Sequence, residues 1–282
     1  MNYRHVYHAG NIGDVLKHIV LSRLICYFQL KDKPFRLVDT HAGIGLYDLS
    51  LPETQKTGEW QQGIGKVLDA DVPKAVAELI APWLGAIEAL NPEGGLNRYP
   101  GSPALARQLM RQGDRLTLTE LHPEDFKVLA AQFAGDFQVK TIHLDGWLAL
   151  GGFLPPKEKR GIVLIDPAYE VTDEFDRMTG AVIRGWKKWP TGTYALWYPM
   201  KDAWAIRKMH ADFRTAGLRD VLTLELNAGK SGPETKMLGS GMTLVNAPYT
   251  LAQDMRTVLP WLCETLQQGP DASWNVSQLI DE

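Results

Sequence analysis

The 282 residues are 45% hydrophobic and 22% charged, the balance of a globular chain long enough for one large domain or one domain with an insertion. No apolar run approaches the roughly 18–20 residues that span a bilayer, the N-terminus lacks the apolar core of a signal peptide, and two cysteines are too few for a disulfide framework, so the expectation is a cytoplasmic protein with buried thiols at Cys26 and Cys263. The net charge of −3 argues against indiscriminate coating of nucleic acid, yet residues 1–40 and 153–220 each carry +3, while 41–152 carry −5 and 221–282 carry −4.

The segment Tyr3–His18 is rich in polar rings. His5 and His8, with His18 and His41, come without a cysteine or fixed carboxylate partner, so no metal is expected. Tyr3 and Lys17 are candidates for substrate contact, against the alternative of an arm packed for stability. Helical spacing of Val15, Leu16, Ile19, Val20, Leu24 and Phe28 predicts a helix over Asn11–Leu30, which Pro34 prevents from continuing. Phe35–Asp39 reads as a strand running into Thr40-His41-Ala42-Gly43-Ile44-Gly45, where glycines let the backbone approach a ligand. About seventy residues then separate that turn from the next strand, roughly twice a strand-helix-strand unit. Gly58–Asp69 and Val72–Leu90 both read as helical, so residues 51–99 are taken as a helical insertion in a main domain of 1–50 and 100–282. Ser102-Pro103 then starts a helix, serine as cap and proline at the first helical position.

Further strands are expected at Arg115–Thr119, Val139–Leu144, Gly161–Ile165 and Thr193–Tyr198, and helices at Pro103–Arg111, Pro123–Phe133 and Asp173–Lys188. That alternation implies an α/β domain with a mostly parallel sheet. Val221–Leu226 and Met242–Asn246 are joined by a linker too short for a crossover helix, so they form an antiparallel pair. A parallel sheet closed by such a hairpin is the Rossmann-like arrangement of class I S-adenosylmethionine-dependent methyltransferases.

His41 and Gly43, Glu120, Asp145-Gly146 and Asp166 fall at the C-terminal ends of successive strands, where open α/β sheets bind ligands. Glu120 suits ribose hydroxyls and Asp145 an adenine amino group. Each acid alone could be a surface carboxylate; the series is the argument. Asp166-Pro167-Ala168-Tyr169 ends the aliphatic run Gly161–Ile165. A carboxylate, a carbonyl and a ring on a stiff loop suit an amine on a flat base, with Asp166 and Pro167 accepting its hydrogens and Tyr169 stacking on the unstacked ring.

These residues resemble the bacterial ribosomal RNA large subunit methyltransferase J family. The resemblance rests on Tyr3-Arg4-His5-x-Tyr7-His8-Ala9-Gly10-Asn11-x-x-Asp14-Val15-Leu16-Lys17-His18, Asp39–Gly43, Tyr99–Pro103, Thr119–Pro123 and Gly192–Pro199. It implies methylation of N6 of a single 23S ribosomal RNA adenine with S-adenosylmethionine as cofactor; the expectation is a monomer. It further implies cofactor contacts from His18, His41, Ser102, Glu120, Asp145, Gly146 and Asp166, and a substrate contact from Tyr3. The family's tetrad is Asp-Pro-Pro-Tyr, whereas Ala168 stands third here, removing one ring constraint from the loop. A DNA adenine methyltransferase would use the same site, and a non-catalytic nucleic-acid-binding protein is the rival from another class. Methylation of a glutamine amide would usually carry Asn in place of Asp166.

Overall fold

The computed structural model describes residues 4–229 and 239–281. A short turn of helix at His5–Tyr7 leads into α1 (Ile12–Gln29), then β1 (Arg36–Asp39), β2 (Leu46–Asp48), α2 (Pro52–Thr57), α3 (Lys66–Asp69), α4 (Lys74–Leu90) and β3 (Arg98–Pro100). Next come α5 (Ser102–Leu109), β4 (Arg115–Glu120), α6 (Pro123–Gln132), β5 (Val139–His143), α7 (Gly146–Gly152), β6 (Gly161–Ile165) and α8 (Glu174–Lys188). The chain ends with β7 (Thr193–Pro199), α9 (Ala203–Thr215), β8 (Val221–Asn227), β9 (Gly239–Val245), α10 (Leu251–Leu266) and β10 (Ser273–Ile280).

One eight-stranded sheet has the order β10-β8-β9-β7-β6-β1-β4-β5. The five strands from β7 to β5 in that order pair in parallel, and β9, lying between β7 and β8, is antiparallel to both. This is the fold class expected, with an antiparallel edge lengthened by β10, which pairs with β8. Alternate side chains leave opposite faces of the parallel strands. Leu37, Ile162, Leu164 and Ala195 enter the core shared with α1, α4, α5 and α10. Val38, Val163, Ile165 and Leu196 enter the core under α7, α8 and α9. Burial on both faces explains why these strands read as unbroken aliphatic runs.

The helix α1 is more central than an apolar stripe suggests. Asp14, Lys17, His18 and Ser22 are buried with its aliphatic residues, because α4, α5, α10 and β9 all pack on it. The residues from α2 to α4 lie between β2 and β3, which pair antiparallel as a two-stranded stem absent from the sequence reading. Their side chains Val76, Ile80, Trp83 and Ile87 belong to the α1 core. The helix expected over Gly58–Asp69 is broken at Gly63, where φ is −109° and ψ −107°, because the Gly10 carbonyl passes directly against it and bonds Ile64 N at 2.9 Å. Among the described residues no helix is long and apolar enough to cross a membrane.

Candidate active site

The sheet order sets Asp145, Glu120, the His41–Gly43 turn and Asp166 side by side along one edge, since β5, β4, β1 and β6 are neighbours. They open onto a cavity of about 260 Å³. Its wall also includes Lys17, His18, Ser102, Gly146 and Pro167. Tyr3 lies outside the described residues. Tyr169 sits behind the wall. Its hydroxyl donates to the Trp197 carbonyl at 2.7 Å, and its ring centroid is 4.9 Å from that of Phe175. Its φ of +52° is a left-handed conformation that a non-glycine residue holds only when its surroundings impose it.

The floor is built by backbone turns. Gly43 has φ +60°, and a Cβ there would stand 2.5 Å from the Tyr47 hydroxyl. At Gly146 a Cβ would lie 2.2 Å from the Thr40 carbonyl oxygen. Glu120 ties the β1 and β4 turns together, accepting from Gly43 N at 2.8 Å and His122 N at 2.7 Å. Burial raises its carboxyl above the usual range. Asp145 caps α7 by accepting from Trp147 N at 2.8 Å. The His41 ring meets the Trp147 ring edge-on at 4.8 Å, and burial pushes this histidine down to about 3. Ser102 donates its hydroxyl to buried Asp39 at 2.6 Å, and His41 N donates to the other Asp39 oxygen at 3.2 Å.

On the other side, α1 delivers a charged network. Asp14, fully buried, accepts from Gly10 N at 2.8 Å and pairs with His5 Nε2 at 2.9 Å and Lys17 Nζ at 2.7 Å. The Lys17 ammonium also binds Asp166 Oδ2 and stands 6.0 Å from the Trp197 ring centroid. Burial alone would lower Lys17, but Asp14 and Asp166 hold it charged, above the usual lysine range. Burial would likewise raise Asp14, yet His5 and Lys17 hold it well below the carboxylate range. Asp166 therefore has one oxygen clamped, and among the described residues its Oδ1 takes no protein hydrogen bond.

Sequence reasoning missed Asp14, Asp39 and Arg177. Asp14 had a signal, standing three residues before Lys17 and four before His18, where a helix places side chains on one face. Asp39 was visible only as a strand end. Arg177, 3.5 Å from Asp145 and 5.8 Å from the Trp147 ring centroid, reaches the cavity from α8, which no local pattern announces.

The sequence profile of the family described as "Ribosomal RNA large subunit methyltransferase D, RlmJ" matches residues 32–280. A protein of Haemophilus influenzae named ribosomal RNA large subunit methyltransferase J is 41% identical over 284 residues, covering 100% of both chains. One of the same name from Escherichia coli K12 is 40% identical over 282 residues, again covering 100% of both. A crystal structure of a Legionella pneumophila protein superposes with a TM-score of 0.88 at 34% identity, covering 96% of this chain and 98% of the other.

Proposed function

The chain belongs to the ribosomal RNA large subunit methyltransferase J family, and from that membership we propose that it methylates N6 of one adenine in 23S ribosomal RNA in the cavity bounded by Asp145 and Asp166. The cofactor is S-adenosylmethionine, which supplies an electrophilic sulfonium methyl when bound. The cavity suits it. Among the described residues His18 Nε2 is a buried polar atom without a hydrogen-bond partner, and the same cavity is lined by Glu120 and Asp145 over a floor too tightly packed at Gly43 and Gly146 to admit a side chain. Glu120, with two backbone donors already engaged, keeps lone pairs for ribose hydroxyls. Asp145 and Gly146 take the adenine end, with His41, Ser102 and His18 along the remaining wall.

The observation that carries the reading is the half-used carboxylate of Asp166. Lys17 fixes one oxygen and so fixes the plane of the group, leaving Oδ1 to accept from an incoming amine. An adenine N6 lone pair is delocalised into its ring and is a poor nucleophile. Asp166 Oδ1 and the Pro167 carbonyl accept its two hydrogens and stabilise positive charge as it develops on nitrogen. Tyr169, held behind the wall by Trp197 and Phe175, braces the Asp166-Pro167 turn that meets the base, and Tyr3 completes the substrate contacts. Orientation of the amine within this frame lowers the barrier further. The surplus proton passes to Asp166 or to solvent.

Asp166→Ala should retain S-adenosylhomocysteine binding while methylation of transcribed 23S ribosomal RNA falls by about 10²–10³-fold. Undiminished transfer would remove Asp166 from the mechanism. Unchanged N6-methyladenosine in ribosomal RNA from cells lacking the gene, read by mass spectrometry, would remove the substrate assignment.

A further inference from the structure

His18 is fully buried, and its two ring nitrogens face different surroundings. Nδ1 lies 2.9 Å from the Tyr99 hydroxyl. Nε2 is without a hydrogen-bond partner among the described residues, Asp14 Oδ1 being 3.9 Å away and beyond reach. Burial, reinforced by Lys17, pushes the imidazole down to about 3 against the pull of Asp14, so the ring is neutral at physiological pH and carries a single proton. Which nitrogen holds it decides whether the cavity wall presents a donor or an acceptor.

The Tyr99 hydroxyl answers that question. It is buried on β3 at the stem of the helical segment. The indole N–H of Trp83, from α4, faces the same oxygen more loosely than a regular hydrogen bond. An indole N–H only donates, so it offers the hydroxyl hydrogen no acceptor. His18 Nδ1 does. The hydroxyl donates there, Nδ1 is the acceptor, and the ring proton stands on Nε2.

We propose that Tyr99 is a positioning residue that fixes His18 in its Nε2–H tautomer, aiming a donor at an oxygen acceptor of bound S-adenosylmethionine. The proposal rests on the reading of His18 as a cofactor contact. It gives the segment between β2 and β3 a part in cofactor affinity without touching the cofactor. With the proton on Nδ1 instead, a lone pair would oppose the acceptor's lone pair.

Nitrogen-15 NMR of the ligand-free protein should report the Nε2–H tautomer at His18, and the Nδ1–H form in the parent protein would overturn the proposal whatever any variant does. Tyr99→Phe should lose the tautomer preference and weaken S-adenosylhomocysteine about five- to tenfold by calorimetry. In a His18→Gln background, whose amide donates without a tautomer to set, the Tyr99→Phe change should have no further effect on affinity. If His18→Ala binds S-adenosylhomocysteine as the parent does, the cofactor reading fails. If His18→Ala weakens binding while Tyr99→Phe keeps both tautomer and affinity, the reading stands and the proposal alone fails.

Discussion

Asp39 shows how a residue can support a site at a cost to stability. Burial pushes its carboxyl up to about 6, against the hydrogen bonds from Ser102 and His41 N that favour the ionised form. The group's ordinary value in an unfolded chain is about 4. A carboxyl raised on folding favours the folded state in its protonated form. That contribution is complete below pH ~4 and is lost as pH rises through about 6. The loss amounts to roughly 3 kcal/mol. Asp39→Asn does not titrate, so its stability relative to the parent should improve by about 3 kcal/mol between pH 4 and pH 7.5. Urea unfolding of both proteins at the two pH values measures this, and an unchanged difference would contradict it. Asp14 is the opposite case. It is as deeply buried, but His5 and Lys17 compensate it and hold its carboxyl low. The residue types of both acids were legible, whereas their burial and partners were not.

Among the elements, the segment between β2 and β3 is tied at its far end by the amide of Asn91. Asn91 ends α4, and its Oδ1 accepts from Asn97 N and Arg98 N, each at 2.9 Å. Its Nδ2 donates to the carbonyls of Ile87 and Arg98, each at 2.8 Å. All four bonding positions of a buried amide are used, which ties the end of α4 to the start of β3 and so locates Tyr99. Asn91→Ala leaves backbone groups unpaired and should cost about 2–3 kcal/mol, read as a lower urea midpoint with unchanged slope. The turn Asn91-Pro92-Glu93-Gly94-Gly95 was legible as the end of a helix. The strand beyond it was not, because β2 and β3 are three residues each and draw their stability from pairing across fifty residues of chain. Helices α7 and α9 also escaped the reading, and α10 was legible only as an apolar helical pattern around Cys263. In α7 the cap Asp145 was read as the end of a strand, since the same residue ends one turn and starts the next. Only the fold shows that it does both.

For the whole molecule, charge and sheet order decide what the site can meet. The N-terminal forty residues and the stretch 153–220 carry +3 each on a chain of −3. Both zones supply cavity residues, Lys17 and His18 from one and Asp166 and Arg177 from the other. A polyanion held at a few phosphates loses affinity as salt rises, so kcat/KM for 23S ribosomal RNA should fall about tenfold between 50 and 200 mM salt. S-adenosylhomocysteine binding should change far less over the same range, and equal salt dependence of the two would argue against local phosphate contacts. By itself, the sequence determined the alternation of strands and helices, the antiparallel closing pair and the row of strand-end groups. Each of these follows from local periodicity and from residue types that end a strand. Tertiary structure alone decided that β9 lies between β7 and β8, that β10 extends the edge, and that α1 is buried all round from Ile12 to Ser22. It also decided that Lys17 reaches Asp166 across 149 positions of chain and that Tyr99 meets His18 across 81. Such contacts arise where elements distant in sequence pack together, and no spacing within a single element encodes them.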